Sequence, residues 1–151
     1  VLTFGGTKNG ALGAEAVVVL NEDLVAAMPY IRKQSMQLAS KMRYVSAQFV
    51  ALLTDDLWKR NAEHANAMAR RLADGVEGVP GVTVTDTVAA NAVFAILPPE
   101  VTRELQDEFT FYVWNPGTGQ VRWMTSWATT EAQVDEFVGR IREVAGKHAG
   151  H

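Results

Sequence analysis

Two apolar, strand-like runs, Val1-Leu2-Thr3-Phe4 and Ala16-Val17-Val18-Val19-Leu20, flank a segment in which glycines at positions 5, 6, 10 and 13 surround a single lysine, Lys8. Glycine supplies backbone conformations closed to other residues and lets a ligand approach the main chain. The pattern predicts a β-hairpin over residues 1–20 with Lys8 at its tip. Its second arm is continuously apolar rather than alternating, as expected of a strand buried on both faces. Glycine and asparagine are ordinary turn residues, so a solvated lysine in a hairpin turn is the plain reading of the tip. Walled by Phe4 and Thr3, the same lysine would lose solvation and deprotonate more easily, as a Schiff-base nucleophile requires.

Beyond the hairpin, Asn21 predicts a helix cap, with Glu22 and Asp23 in the first turn and Pro29 interrupting the helix. Residues 32–53 read as a second helical region, apolar around much of its circumference and so suited to burial between layers or at a subunit contact. Lys33, Lys41 and Arg43 stand out there, and each needs either an anionic partner or a path to solvent. A long helix follows, capped by Thr54 or Asp55, with a stripe of Leu57, Asn61, Ala65, Met68, Leu72 and Val76 and glycines at its end.

The remainder reads as a compact α+β unit. Strands are predicted over 82–85 and 92–97, a helix over 98–109, and a strand pair over 111–114 and 121–127 joined by a turn-rich loop. A last helix opens on the capping box Thr130/Gln133 and carries the stripe Val134, Phe137, Val138, Ile141 and Val144. The segment 147–151 is expected to fray. Trp123 and Trp127 alternate onto one strand face, which with Trp114 favours packing. Arg122, a cation on an apolar strand, is either a strand-edge arginine or a bidentate grip for a carboxylate.

A chain of 151 residues with a formal charge of -3 and no long run of like charges gives no sign of a nucleic-acid partner. Cysteine is absent, which excludes disulfides and thiolate metal sites and fits a cytoplasmic location. No stretch approaches the length of a membrane span. His64, His148 and His151 have no evident ligand partners, so no metal is expected. Because the chain opens at Val1 inside a strand, it is expected to be the C-terminal part of a longer protein.

The segment Phe4-Gly5-Gly6-Thr7-Lys8-Asn9-Gly10, followed by Gly13-Ala14-Glu15-Ala16, resembles the cofactor-lysine segment of the threonine aldolase and β-eliminating lyase family. These are pyridoxal phosphate enzymes of the aspartate aminotransferase fold type, and the phenylserine-type aldolases look most alike. The resemblance continues through Arg32-Lys33-Gln34, Ser40-Lys41-Met42-Arg43-Tyr44, Ser46-Ala47-Gln48, Asp55-Asp56-Leu57-Trp58 and Val121-Arg122-Trp123-Met124-Thr125-Ser126-Trp127-Ala128-Thr129-Thr130, nearly the whole chain.

The resemblance implies an α/β parent of fold type I. Residues 1–56 would be the last hairpin and helices of its cofactor-binding large domain, and residues 57–151 its small C-terminal α+β domain. It implies that Lys8 carries pyridoxal 5'-phosphate covalently, that Thr7 offers a hydroxyl to the phosphate, and that Arg43 supplies a cation near the phosphate of a neighbouring subunit's cofactor. Arg122 would bind the substrate's α-carboxylate, and Lys33 would lie near the site. Where relatives show Gly-Gly-Gly before Met-Arg, this chain has Ala39-Ser40-Lys41, a change in the path of that loop. The implied reaction is cleavage of a β-hydroxy-α-amino acid, threonine- or phenylserine-like, to glycine and an aldehyde. The alternatives are β-elimination to a keto acid and ammonia, and an inactive assembly fragment. The implied partners are a small amino-acid substrate and further copies of the chain, as a homodimer or homotetramer, with neither nucleic acid nor membrane.

Overall fold

The hairpin forms as β1 (Leu2–Gly5) and β2 (Glu15–Val18), antiparallel, with Leu2 opposite Val18 and Gly5 opposite Glu15. The structure is a computed structural model describing residues 1–149. It divides into a unit spanning Val1–Asn61 and a second beginning at Ala62.

In the first unit the tip between the strands is a single 3-10 turn, Thr7–Asn9, closed by Gly10 at φ 102°, a conformation that favours glycine. Lys8 is exposed on this turn, and Phe4 packs on Phe49 at 5.7 Å between ring centres. The expected desolvation of Lys8 by Phe4 is therefore not found: the aromatic wall is used elsewhere. The second arm is not buried on both faces either, since Val17 and Val18 remain exposed. A two-stranded ribbon has no neighbouring strand to complete it, and Ala14 and Leu52 are this unit's buried apolar residues.

Asn21 caps α1 (Glu22–Val25), its Oδ1 accepting the Asp23 N–H at 2.9 Å, and Pro29 stands in the first turn of α2 (Met28–Gln34). The single helical region expected over 32–53 is two elements. Met36 takes a left-handed φ of 56°, while the Gln37 N–H donates to the Arg32 carbonyl and the Met36 N–H to the Lys33 carbonyl. That crossed pair of bonds terminates a helix, here with methionine in the place glycine usually takes. The chain becomes helical again in α3 (Met42–Leu53). The Thr54 hydroxyl then turns back to the Val50 carbonyl at 2.6 Å, closing α3 rather than capping the next helix. After left-handed Asp55 and Asp56, α4 (Leu57–Gly75) begins.

The second unit is built on an antiparallel sheet of order β3-β4-β6-β5, made of Thr83–Val84, Ala92–Ile96, Gln120–Met124 and Tyr112–Asn115. One face presents Val93, Ala95, Val121 and Trp123 to a core shared with Met68, Leu72 and Val76 of the α4 segment, Val101 and Leu105 of α5 (Pro99–Gln106), and Val138, Ile141 and Val144 of α6 (Glu131–His148). The predicted stripe of α6 thus faces this core, as does the later half of the stripe predicted for the long helix, Met68, Leu72 and Val76. Gly75 permits close approach of these two helices, since a Cβ there would meet the Val138 methyls at 2.7 and 3.0 Å. The capping box of α6 is present in both directions. α5 stops three residues short of the expected end, and Phe109 beyond it packs on Phe137 at 4.8 Å.

Trp127 does not share a strand with Trp123. β6 ends at Met124, where the Thr125 hydroxyl donates to the Ala65 carbonyl at 2.7 Å and draws the chain into a turn, leaving Trp127 exposed. Nor does the tail fray where expected. Lys147 and His148 continue α6 and reach Glu104 of α5 at 2.9 and 3.0 Å; Gly150 and His151 lie outside the described residues. Arg140 joins the same cluster through a fork on Glu108 and a bond to Glu143.

Hydrogen bonds from Lys147, then His148, hold the Glu104 carboxyl below its ordinary value of 4.5. The folded state therefore binds this proton less tightly than the unfolded chain, so the stabilisation is complete above that value and is lost as the pH falls through the lower, folded one. Glu104→Gln is expected to lower the urea midpoint at neutral pH, with the difference from the parent shrinking below about pH 4. A difference that stays constant with pH would assign the effect to packing instead of charge.

Candidate functional site

The glycine-rich turn is held by its own backbone and by side-chain amides. The Gly6 N–H donates to the Ala14 carbonyl at 2.7 Å and the Ala11 N–H to the Gly6 carbonyl at 3.0 Å. Gln48 of α3 accepts the N–H groups of Leu12 and Gly13 on one oxygen, at 2.8 and 3.1 Å. Asn61 of α4 donates to the Asn9 carbonyl at 2.9 Å, and Asn9 donates to the Trp58 carbonyl at 2.9 Å. Lys8 sits on a turn tied to two helices although its own side chain is unengaged. No hydrogen bond or ion pair holds its amine among the described residues. A free primary amine on a fixed turn suits a covalent anchor for an aldehyde, given that the neutral amine is the nucleophile.

Thr7, beside it, donates its hydroxyl proton to Glu15 at 2.9 Å. Gly5 lies under the same carboxylate, which a Cβ at that position would strike. Gln48, Asn61 and Glu15 were not legible as site residues in the sequence. Gln48 falls inside the quoted Ser46-Ala47-Gln48 motif, but only the fold shows what it binds.

Lys33 lies in the last turn of α2, where a cation favours the helix dipole, and Arg43 in the first turn of α3. Both are exposed; the Arg43 guanidinium lies over the Tyr44 ring at 4.8 Å. Neither makes an ion pair with an acidic side chain among the described residues. Lys8, Lys33 and Arg43 make no hydrogen bond to one another, so this unit brings Thr7 and Lys8 together and leaves the other two cations on separate helices.

Arg122 belongs to the second unit. It is not on a strand edge: β6 pairs with β4 on one side and β5 on the other, placing Arg122 between Phe94 and Tyr112. Val121 and Trp123 point into the core, so Arg122 occupies the opposite face of the sheet. Its guanidinium carbon lies 4.4 Å from the Trp114 ring centre and 6.0 Å from that of Tyr112. Its Nε is buried without a hydrogen-bond partner, and no carboxylate neutralises it among the described residues. A buried N–H left unsatisfied is costly, and an unpaired guanidinium has the donors with which a planar anion could be bound.

Among the described residues no cluster of three His, Cys, Asp or Glu side chains is placed to hold a metal ion, and no helix is long and apolar enough to cross a membrane.

No family model matches the chain. It is 45% identical over 147 residues to a low specificity L-threonine aldolase of Pseudomonas aeruginosa, an alignment covering 97% of this chain and 42% of that protein. A low specificity L-threonine aldolase of a Pseudomonas species is 43% identical over 145 residues, covering 95% and 42% respectively. Among solved structures, Leishmania major threonine aldolase matches with a TM-score of 0.86 at 32% identity, over 95% of this chain and 42% of that one. A transaminase from directed evolution by ancestral reconstruction matches with a TM-score of 0.56 at 16% identity, over 98% and 38%, a likeness of fold alone. The chain spans about two fifths of the length of the curated relatives it matches.

Proposed function

The chain is related in sequence and structure to threonine aldolases over nearly its whole length, and from that premise we propose that it is the part of a pyridoxal-phosphate-dependent lyase that supplies the cofactor lysine and the substrate's carboxylate grip. The intact enzyme cleaves threonine- or phenylserine-like β-hydroxy-α-amino acids to glycine and an aldehyde. The observation that carries the reading is the 45% identity to a low specificity L-threonine aldolase across 147 residues, a span that takes in both Lys8 and Arg122.

In this reading residues 1–56 belong to the cofactor-binding domain and residues 57–151 to the small domain. Lys8 is the catalytic residue: its Nζ would hold the cofactor's aldehyde, the role a primary amine on a fixed turn can fill. The clamps from Gln48 and Asn61 fix the turn that presents this amine. Bound pyridoxal phosphate supplies the electron sink that lets the bond between Cα and Cβ break. Thr7 and Arg43 would help hold the phosphate, Thr7 with its hydroxyl and Arg43 with positive charge. Lys33 provides a further cation on the substrate side. Arg122 orients the substrate by gripping its α-carboxylate through two parallel bonds.

Exposed apolar side chains on the first unit, including Tyr30, Ile31, Met36, Val50 and Leu53, support assembly as a homo-oligomer, a dimer or tetramer. The absence of cysteine supports a cytoplasmic setting.

Product analysis tests the reaction. The intact enzyme, loaded with pyridoxal phosphate and given phenylserine or threonine, is expected to release glycine and the matching aldehyde in equal amounts. Release of a keto acid and ammonia would replace aldol cleavage by β-elimination. The 151-residue chain alone is expected to be inactive, and turnover by it would count against its reading as one part of the catalytic unit.

A further inference from the structure

We propose that Trp114 is the positioning residue of the carboxylate grip, holding the Arg122 guanidinium in place while leaving its charge unspent; this rests on reading Arg122 as the group that binds the substrate's α-carboxylate.

A buried or half-buried cation usually has an acid beside it. Arg122 has none among the described residues; its cross-strand neighbours on that face of the sheet are aromatic. Phe94 stands opposite it on β4, Tyr112 stands opposite it on β5, and Trp114 lies at 4.4 Å. The placement of Trp114 comes from a break in the ladder. Val113 pairs with Val121 and Asn115 with Gln120, so Trp114 is an extra residue on β5 with no partner of its own on β6. A bulge of this kind re-aims a side chain and bends its strand. Phe94 then braces the indole in an edge-on contact, with ring centres 5.6 Å apart and planes at 69°.

A carboxylate neighbour would also hold Arg122, but it would occupy the donors that a substrate needs. An aromatic face attracts the cation through its quadrupole and takes no N–H group. The guanidinium is restrained with its donors free, which lowers the ordering cost of accepting a planar anion. The loop 115–119 closes this arrangement, with Asn115 Oδ1 accepting the Gly117 N–H at 2.9 Å and Gly119 at a left-handed φ of 73°.

The test uses the intact, cofactor-loaded enzyme, with active sites counted by bound cofactor. Trp114→Ala is expected to raise KM for phenylserine about 5- to 20-fold with kcat within about twofold, and Trp114→Phe to recover most of the loss. Trp114 is 53% exposed, so the melting temperature should stay close to that of the parent. Arg122→Gln is measured alongside. If it raises KM while Trp114→Ala leaves KM unchanged, the positioning role falls and the carboxylate grip stands. If Arg122→Gln itself leaves KM unchanged, the reading of Arg122 falls and this inference falls with it.

Discussion

Lys8→Ala in the intact enzyme is expected to abolish the absorption band of the protonated imine with pyridoxal phosphate and to lower the cleavage rate by three orders of magnitude or more, roughly 4 kcal/mol of barrier. The prediction is sharp because the loss of activity should come without a loss of fold. The Lys8 side chain has no hydrogen-bond or ion-pair partner among the described residues, and the turn is held by backbone bonds and by Gln48, Asn61 and Asn9. Removing the amine should therefore change stability by no more than about 0.5 kcal/mol, the usual range for an exposed position. Lys8→Arg should be equally inactive despite keeping the charge, because a guanidinium does not deprotonate in a protein. Borohydride reduction of the loaded enzyme followed by peptide mapping gives an independent check. A tag on Lys33 or Lys41 with Lys8 unmodified would sink the assignment.

The largest stability effect is expected at Leu105. It is fully buried in the core of the second unit, in the same cluster as Val101 and Ile141. Leu105→Ala should cost about 2–5 kcal/mol, the lost transfer energy of the removed atoms plus the cavity left between α5 and its neighbours. For a unit of this size each kcal/mol is worth about 4–8 °C in melting temperature, so the transition should move by about 8 °C or more. Urea unfolding monitored by tryptophan fluorescence reads the effect directly. A loss below about 1 kcal/mol would show that the helices relax into the space, and that the core is less tightly interlocked than its near-zero exposures indicate.

Lys8 was legible from its glycine-flanked setting and from resemblance, and the fold adds the amides that hold its turn. Leu105 falls in the helix expected over 98–109, and the structure places it at full burial. The break after Gln34 escaped the sequence because apolar spacing continues straight through it. The left-handed turn at Met36 is a backbone event that no glycine announces. Trp127 was misplaced for a similar reason. Alternation extends on paper past Met124, while the hydrogen bond from Thr125 to Ala65 ends the strand in space.

Periodicity, capping chemistry and turn residues act over a few neighbours, and these the sequence determined by itself: the hairpin, the cap at Asn21, the box at Thr130 and the stripes of α4 and α6. The tertiary structure alone decided which polar groups meet across long separations. Gln48 and Asn61 reach the lysine turn, Glu104 gathers the end of α6, and a bulge lays Trp114 over Arg122. Such contacts depend on where folded elements bring residues that lie far apart along the chain, or on a one-residue slip in strand register, and neither leaves a local pattern to read.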